Sequence, residues 1–332
     1  MMTSASRVLF VALAKAATSL LSRHPGTKTA RAVDTVSGPR LWSADVNPTG
    51  VERPKRFRRL KRCYRILVAS ITLTGYAVLA PFGYLAFATW ALLPNRNPDR
   101  RAHRLQDIMR AAFAFMHHWL RWVRILDCDP RQLRGAIPDT PCVVISNHPA
   151  IDDVTTIMGG VPRLCTAVNR TTFSRRWLRP LLEQAGQFSG GLHNPLGSAT
   201  VLESAAERLR RGFRVLVFPE GARSPRGQLR RFARGAFEIA CRVGVPVVPV
   251  LIRADPLWLA RGDRLLLPPA DLPKKRLEVL EMLHPADFAG DSRSMRDYAE
   301  VMYARALGAP VAALPPSASA ERREPNESRP PL

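Results

Sequence analysis

Val143-Val144-Ile145 is a run of β-branched residues that suits a buried strand, and it ends abruptly at Ser146-Asn147-His148-Pro149. The fixed φ of Pro149 suits a first helical turn, and Asp152 and Asp153 follow where the helix dipole favours carboxylates. His148 is therefore expected at a strand-to-helix junction. Helical side chains lean toward their own N-terminus, so Asp153, five residues on, is expected to fold back onto the imidazole. A carboxylate there holds one tautomer and stabilises the imidazolium, which is what a general-base histidine needs. With seven histidines in the chain, the spacing alone is a weak signal.

The same pattern recurs twice. Val215-Leu216-Val217-Phe218 breaks into Pro219-Glu220-Gly221-Ala222-Arg223-Ser224, and residues 245–252, VPVVPVLI, form a third apolar run. Helical periodicity over residues 201–211 precedes the second run, and over 233–242 it precedes the third. Strands alternating with helices predict an α/β fold, a mixed sheet covered by helices. In such sheets sites gather where strands end and loops begin. His148 and Glu220 both stand just past strand ends.

In combination, NHxxxxD at 147–153, FPEGxRS at 218–224 and VPVVPV at 245–250 resemble the motifs of the PlsC-like lysophospholipid acyltransferase family. The resemblance implies a membrane-bound O-acyltransferase that moves a fatty acyl group directly from a thioester to the hydroxyl of a lysophospholipid. The donor would be acyl-CoA or acyl carrier protein, and 1-acyl-glycerol-3-phosphate is the first candidate acceptor. Neither a metal nor a bound cofactor is required. By the same resemblance His148 would take the hydroxyl proton and Asp153 would orient it. Glu220, Gly221 and Arg223 would line the acceptor site, Arg223 offering bidentate contacts to a phosphate. Pro246 and Pro249 would shape the neighbouring strand. The resemblance covers residues 140–253 well and the rest loosely.

Three positions depart from the family pattern. Its Gly-x-x-x-x-x-Arg segment reads Gly186-Gln187-Phe188-Ser189-Gly190-Gly191-Leu192 here, so the phosphate-holding arginine is missing. Ala222 replaces a threonine and Ala233 a lysine. Either the acceptor differs, and a non-phosphorylated lyso-lipid is the alternative, or Arg175, Arg176, Arg226, Arg230 or Arg231 makes the contact. Those arginines are otherwise surface charges facing lipid headgroups.

Outside this region the charge pattern speaks for a membrane. The net charge of +23 calls for an anionic partner, and eight Lys/Arg crowd residues 53–65. The following 28 residues, 66–93, carry no charge. As one helix they would reach roughly 42 Å, against a hydrocarbon core of about 30 Å. Gly75, Pro81 and Gly83 fall near the middle of the run, so two short helices dipping into one leaflet compete with a single tilted span. The basic residues on both sides favour the re-entrant hairpin, with both ends on the cytoplasmic face of the inner membrane. Residues 103–125 read as an amphipathic helix whose His117 and His118 are structural or interfacial. The expected organisation is a poorly ordered extension (1–52), membrane-anchoring helices (53–125), a catalytic domain (126–308) and a disordered tail (309–332).

Other classes fit less of the chain. A nucleic-acid-binding protein accounts for the charge but not for the uncharged stretch, and none is expected as partner. A metal hydrolase using His148, Asp152, Asp153 and Glu220 has suitable hard ligands. A non-catalytic membrane scaffold on the same fold is the remaining alternative. The five cysteines are scattered with no Cys-x-x-Cys pair, so reduced thiols are expected.

Overall fold

A computed structural model describes residues 55–92, 97–190, 199–225 and 228–308. The expected N-terminal extension and C-terminal tail lie outside the described residues. Two helices lead: α1 (Lys55–Leu92) and α2 (Pro98–Trp122). There follow β1 (Asp127–Cys128), β2 (Val143–Ser146), α3 (Asp153–Gly160), β3 (Leu164–Val168), α4 (Arg170–Phe173), α5 (Arg179–Gln184) and β4 (Phe188–Ser189). The chain continues with α6 (Ala199–Arg210), β5 (Arg214–Val217), α7 (Gly235–Val243), β6 (Val247–Asp255), β7 (Lys274–Val279) and α8 (Ser292–Leu307).

The strands form one mixed seven-stranded sheet in the order β1-β7-β6-β2-β5-β3-β4. β2 is central, parallel to β5 on one side and to β6 on the other, while β7 runs antiparallel to β6. The α/β expectation therefore stands. Val143 and Ile145 face one apolar cluster and Val144 faces the other. Val215 and Val217 alternate with Leu216 in the same way. With both faces covered, neighbouring residues that point in opposite directions must all be apolar, which is why these strands read as continuous hydrophobic runs.

α1 corrects one expectation. It is a single unbroken helix through Pro81, not two short helices dipping into one leaflet. Proline removes one N–H and crowds a preceding carbonyl. A full break would strand several backbone groups in a segment with no charged side chain to take them, so keeping the helix costs less. Arg65, buried on this helix, donates to the carbonyls of Pro269 (2.8 Å), Asp271 and Arg124 (2.8 Å), tying α1 to the sheet domain. Trp119 Nε1 reaches Thr72 Oγ1 at 3.3 Å, and Tyr84 donates to the Trp177 carbonyl at 2.8 Å. Leu67, Ile71, Val78, Leu79, Phe82 and Leu85 face outward, uncovered by the described chain.

α2 begins as the sequence dictates. Asn97 accepts from the Asp99 and Arg100 N–H groups at 3.1 Å, with Pro98 in the first turn. α3 does not start at Pro149. Its first residue is Asp153; before it, the Ala150 N–H donates to the Asp153 carboxylate at 2.7 Å and the Ile151 N–H to the Leu259 carbonyl at 3.0 Å. α3 ends in Gly159-Gly160, pressed onto α2 and the turn at Pro130. A Cβ on Gly160 would lie 2.2 Å from the Pro130 carbonyl oxygen. Gly160→Ala is therefore expected to destabilise the fold by about 1–3 kcal/mol, the usual cost of overpacking. A thermal melt of the detergent-solubilised protein checks this, and an unchanged midpoint would refute it.

Candidate active site

The site lies where β2 and β5 end side by side. Parallel pairing matches Ile145 with Val217, so the segments leaving the two strands emerge on one edge of the sheet. Asn147, 3% exposed, keeps the first of these in place: its Oδ1 accepts the Ile252 N–H at 2.7 Å and its Nδ2 donates to the Ile252 carbonyl at 2.9 Å. The side chain thus extends the β2–β6 ladder by one rung and frees the backbone to turn at His148.

His148 is held at four points. Its N–H donates to Glu220 Oε1 at 2.9 Å, and its carbonyl accepts the Ser224 N–H at 3.0 Å. The ring stacks on Phe218 with centroids 4.2 Å apart and planes at 25°. Nδ1 lies 2.9 Å from Asp153 Oδ2. Asp153 is fully buried, and burial pushes its pKa up, but the Lys275 charge and the His148 hydrogen bond overcome this and hold it below the ordinary value. An ionised carboxylate can only accept, so Nδ1 carries the proton in neutral His148 and Nε2 keeps its lone pair. The His148 side chain is 16% exposed, enough for a substrate atom to approach.

Behind this pair lies a residue the sequence reading missed. Lys275 on β7 donates to Asp152 Oδ2 at 2.7 Å and to Asp153 Oδ1 at 2.8 Å. Burial works against its charge, but the two carboxylates outweigh burial and hold its pKa above the usual lysine range. The signal was available. β7 alternates outward Lys274, Arg276 and Glu278 with inward Lys275 and Leu277, and a lysine on the inward face demands a partner. His117 is also buried, its Nε2 3.3 Å from the hydroxyls of Thr155 and Thr156. Burial pushes its pKa down to about 4, so this histidine is neutral and structural. Among the described residues no cluster of three His, Cys, Asp or Glu side chains could hold a metal ion. The position between Asp152 and Asp153 is taken by the Lys275 ammonium.

Glu220, expected at the acceptor site, is engaged by the two loops. It is 6% exposed, and its oxygens are used inside the protein. Oε1 takes the His148 N–H, while Oε2 takes the Arg230 N–H at 2.9 Å and the Ser224 hydroxyl. It braces the two loops against each other. Gly221 follows with φ +69°, a left-handed turn that favours glycine. Arg223 is half-buried and makes no hydrogen bond or ion pair with a described residue, next to the Ser224 N–H that grips His148. Of the arginines expected as stand-ins, Arg230 is exposed at this rim, Arg231, Arg175 and Arg176 are exposed, and Arg226 lies outside the described residues. So do the last two residues of the altered segment, Gly191 and Leu192.

Burial raises the Glu220 pKa to about 7, against the pull of the Arg230 and His148 N–H groups. A carboxyl that binds its proton more tightly when folded contributes stability at acid pH and loses it as pH rises from its unfolded value toward about 7. Glu220→Gln cannot titrate and is expected to flatten that fall in melting temperature. The amide also leaves one backbone donor unmatched, so any reaction that depends on His148 is expected to slow about tenfold, on the scale of one lost buried hydrogen bond. Melts across the pH range, paired with rates, check both; a variant that kept the wild-type pH slope would refute the first.

A mixed, helix-covered sheet with a His–Asp pair at its central strand end defines an α/β protein. The fold is shared with the 1-acyl-sn-glycerophosphate acyltransferase PlsC of Thermotoga maritima: TM-score 0.57 and 22% identity over 76% of this chain and 96% of that one. Residues 130–253 match the Acyltransferase family model. The human 1-acyl-sn-glycerol-3-phosphate acyltransferase beta is 33% identical over 127 residues, 37% of this chain and 44% of that protein. The Pseudomonas aeruginosa 1-acyl-sn-glycerol-3-phosphate acyltransferase is 28% identical over 167 residues, 46% of this chain and 63% of that protein. The chain thus spans about half the length of the curated relatives it matches.

Proposed function

We propose that this chain is a membrane-bound O-acyltransferase that moves a fatty acyl group from a thioester to the hydroxyl of a lysophospholipid, with 1-acyl-glycerol-3-phosphate as acceptor. The observation that carries the reading is the partly exposed His148 ring, 2.9 Å from the fully buried Asp153. Nε2 removes the acceptor proton as the oxygen attacks the thioester carbonyl; the C–O bond forms, the C–S bond breaks, and the thiol leaves with a proton returned by the imidazolium. No covalent enzyme intermediate is needed. Acyl-CoA or acyl carrier protein serves as donor, a co-substrate and not a bound cofactor. The names of the relatives support the substrate class.

The half-buried Arg223 at the rim, which pairs with no described residue, is suited to the acceptor phosphate, with Gly221 shaping its turn. Arg230, anchored through its N–H to Glu220, is placed to substitute for the family arginine that is missing. Of α1, an 18-residue stretch within residues 60–86 has a mean hydropathy of 1.7 and an outward apolar face, which suits insertion in a bilayer. In this reading residues 53–125 anchor the catalytic domain, 126–308, at the cytoplasmic face of the inner membrane.

The deciding measurement is acyl transfer in vesicles from labelled acyl-CoA or acyl carrier protein to a panel of phosphorylated and unphosphorylated lyso-acceptors, with His148→Ala as control. Transfer to 1-acyl-glycerol-3-phosphate that vanishes in the variant is the expected result. Transfer confined to unphosphorylated acceptors would overturn the substrate and keep the base. Transfer to none, from folded protein, would leave a membrane scaffold.

A further inference from the structure

Lys275 has no counterpart in the motifs that define the site, and its placement is costly. It is 2% exposed, fully enclosed with Asp152 and Asp153, whose side chains are 11% and 0% exposed. A buried ion pair seldom returns what its desolvation costs, and an apolar side chain on this inward face of β7 would satisfy the sheet equally well. The pairing also spans the fold, joining β7 to residues 122 and 123 positions away in sequence.

The charges around it explain what it does. Asp152 and Asp153 are adjacent in sequence, and both aim at the same ammonium. From the other packed elements come His117 on α2, Cys128 on β1 and, beyond His148, Glu220 after β5. His117 and Cys128 are neutral, since burial drives the first down to about 4 and the second up to about 12. Two carboxylates and one ammonium therefore leave a single net negative charge behind the His148 ring, delivered through Asp153 Oδ2.

Resting on the reading of His148 as base, we propose that Lys275 is a positioning residue for acyl transfer: it cancels the charge of Asp152 and fixes Asp153, so that His148 meets one carboxylate in one orientation. Without the ammonium the two carboxylates have two courses. If both stay ionised, the doubled negative charge keeps the proton on the imidazole to higher pH. If they share a proton, Asp153 regains its accepting form only at higher pH. Each course moves the acidic limb of the rate profile upward. A lysine that served the fold alone would lower the melting temperature and leave that limb where it is.

The experiment is the pH profile of kcat/KM for acyl transfer in vesicles by wild type, Lys275→Met, Asp152→Asn and the double variant, beside His148→Ala. The expected shift for Lys275→Met is about one pH unit or more upward, with about a tenfold loss at pH 7 that is recovered in part at alkaline pH. The double variant restores the single charge and returns the limb toward wild type. Asp152→Asn alone keeps the lysine, leaves the imidazolium less favoured and moves the limb downward, which tests the proposal even if Lys275→Met fails to fold. An unmoved limb in Lys275→Met, or in Asp152→Asn where only that variant folds, overturns the proposal while an inactive His148→Ala preserves the base. An active His148→Ala fails the base itself.

Discussion

His148→Ala is expected to lower kcat/KM for acyl transfer by about 10²- to 10⁴-fold, the range a positioned general base supplies, while barely changing the melting temperature. The two halves of this expectation have separate causes. The loss of rate follows from Nε2, which no described residue engages and which alone keeps a lone pair toward solvent. The small effect on stability follows from how the residue is held: its backbone N–H and carbonyl bind Glu220 and Ser224 at 2.9 and 3.0 Å, and those bonds survive truncation. What is lost structurally is the stack on Phe218 and the Nδ1 hydrogen bond to Asp153, whose carboxylate keeps the Ala150 N–H and Lys275 as donors. His148→Phe separates the terms further, because a phenyl ring can keep the stack without accepting a proton. It should be as inactive as the alanine variant. A phenylalanine variant that retained substantial transfer would remove His148 from the chemistry and leave it as a packing residue.

Much of the architecture is legible because β2, β5 and β6 are enclosed on both faces. Enclosure forces uninterrupted apolar runs, and such runs can be found without knowing their partners. The start of α3 was less legible, because it is decided by tertiary partners. Proline suits the first turn of a helix, yet the chain after Pro149 gives its N–H groups to Asp153 and to the distant Leu259 carbonyl, and helix forms only beyond them. The continuity of α1 was missed for a related reason. Local rules weigh Gly75, Pro81 and Gly83 as breaks, whereas the cost of stranding backbone groups belongs to the whole segment.

The site divides along the same line. His148 and Asp153 lie five residues apart, so their meeting follows from one junction. Glu220, just past the end of the neighbouring strand, is visible as a motif, but its service to the His148 N–H depends on β5 lying beside β2. Lys275 comes from a short strand that reads in sequence as a polar surface run. Only its inward phase distinguishes it from Lys274. Asn147 likewise precedes the histidine in plain sight, and its task of extending the ladder to Ile252 is a fact of pairing between strands.

Asp153→Asn tests whether that assembled environment sets the tautomer. In the wild type Oδ2 accepts from both His148 Nδ1 and the Ala150 N–H, and Oδ1 accepts from Lys275. An asparagine has one acceptor and one donor to place in the same two positions. Putting its amide against Lys275 would confront a buried ammonium with N–H groups, so its oxygen is expected to turn to the lysine and its NH₂ to the histidine. Nδ1 must then accept, the ring proton moves to Nε2, and the base has no lone pair for the acceptor hydroxyl. The expected loss is about 10²- to 10⁴-fold in kcat, comparable to the roughly 10⁴-fold cost of the wrong tautomer in a Ser-His-Asp hydrolase. KM should change little, since Arg223 and the acceptor rim are untouched. Nitrogen chemical shifts of the His148 ring would report the exchanged tautomer directly. A folded variant with the wild-type tautomer and near-normal kcat would show that Asp153 is a structural anchor only, and that the base needs no carboxylate behind it.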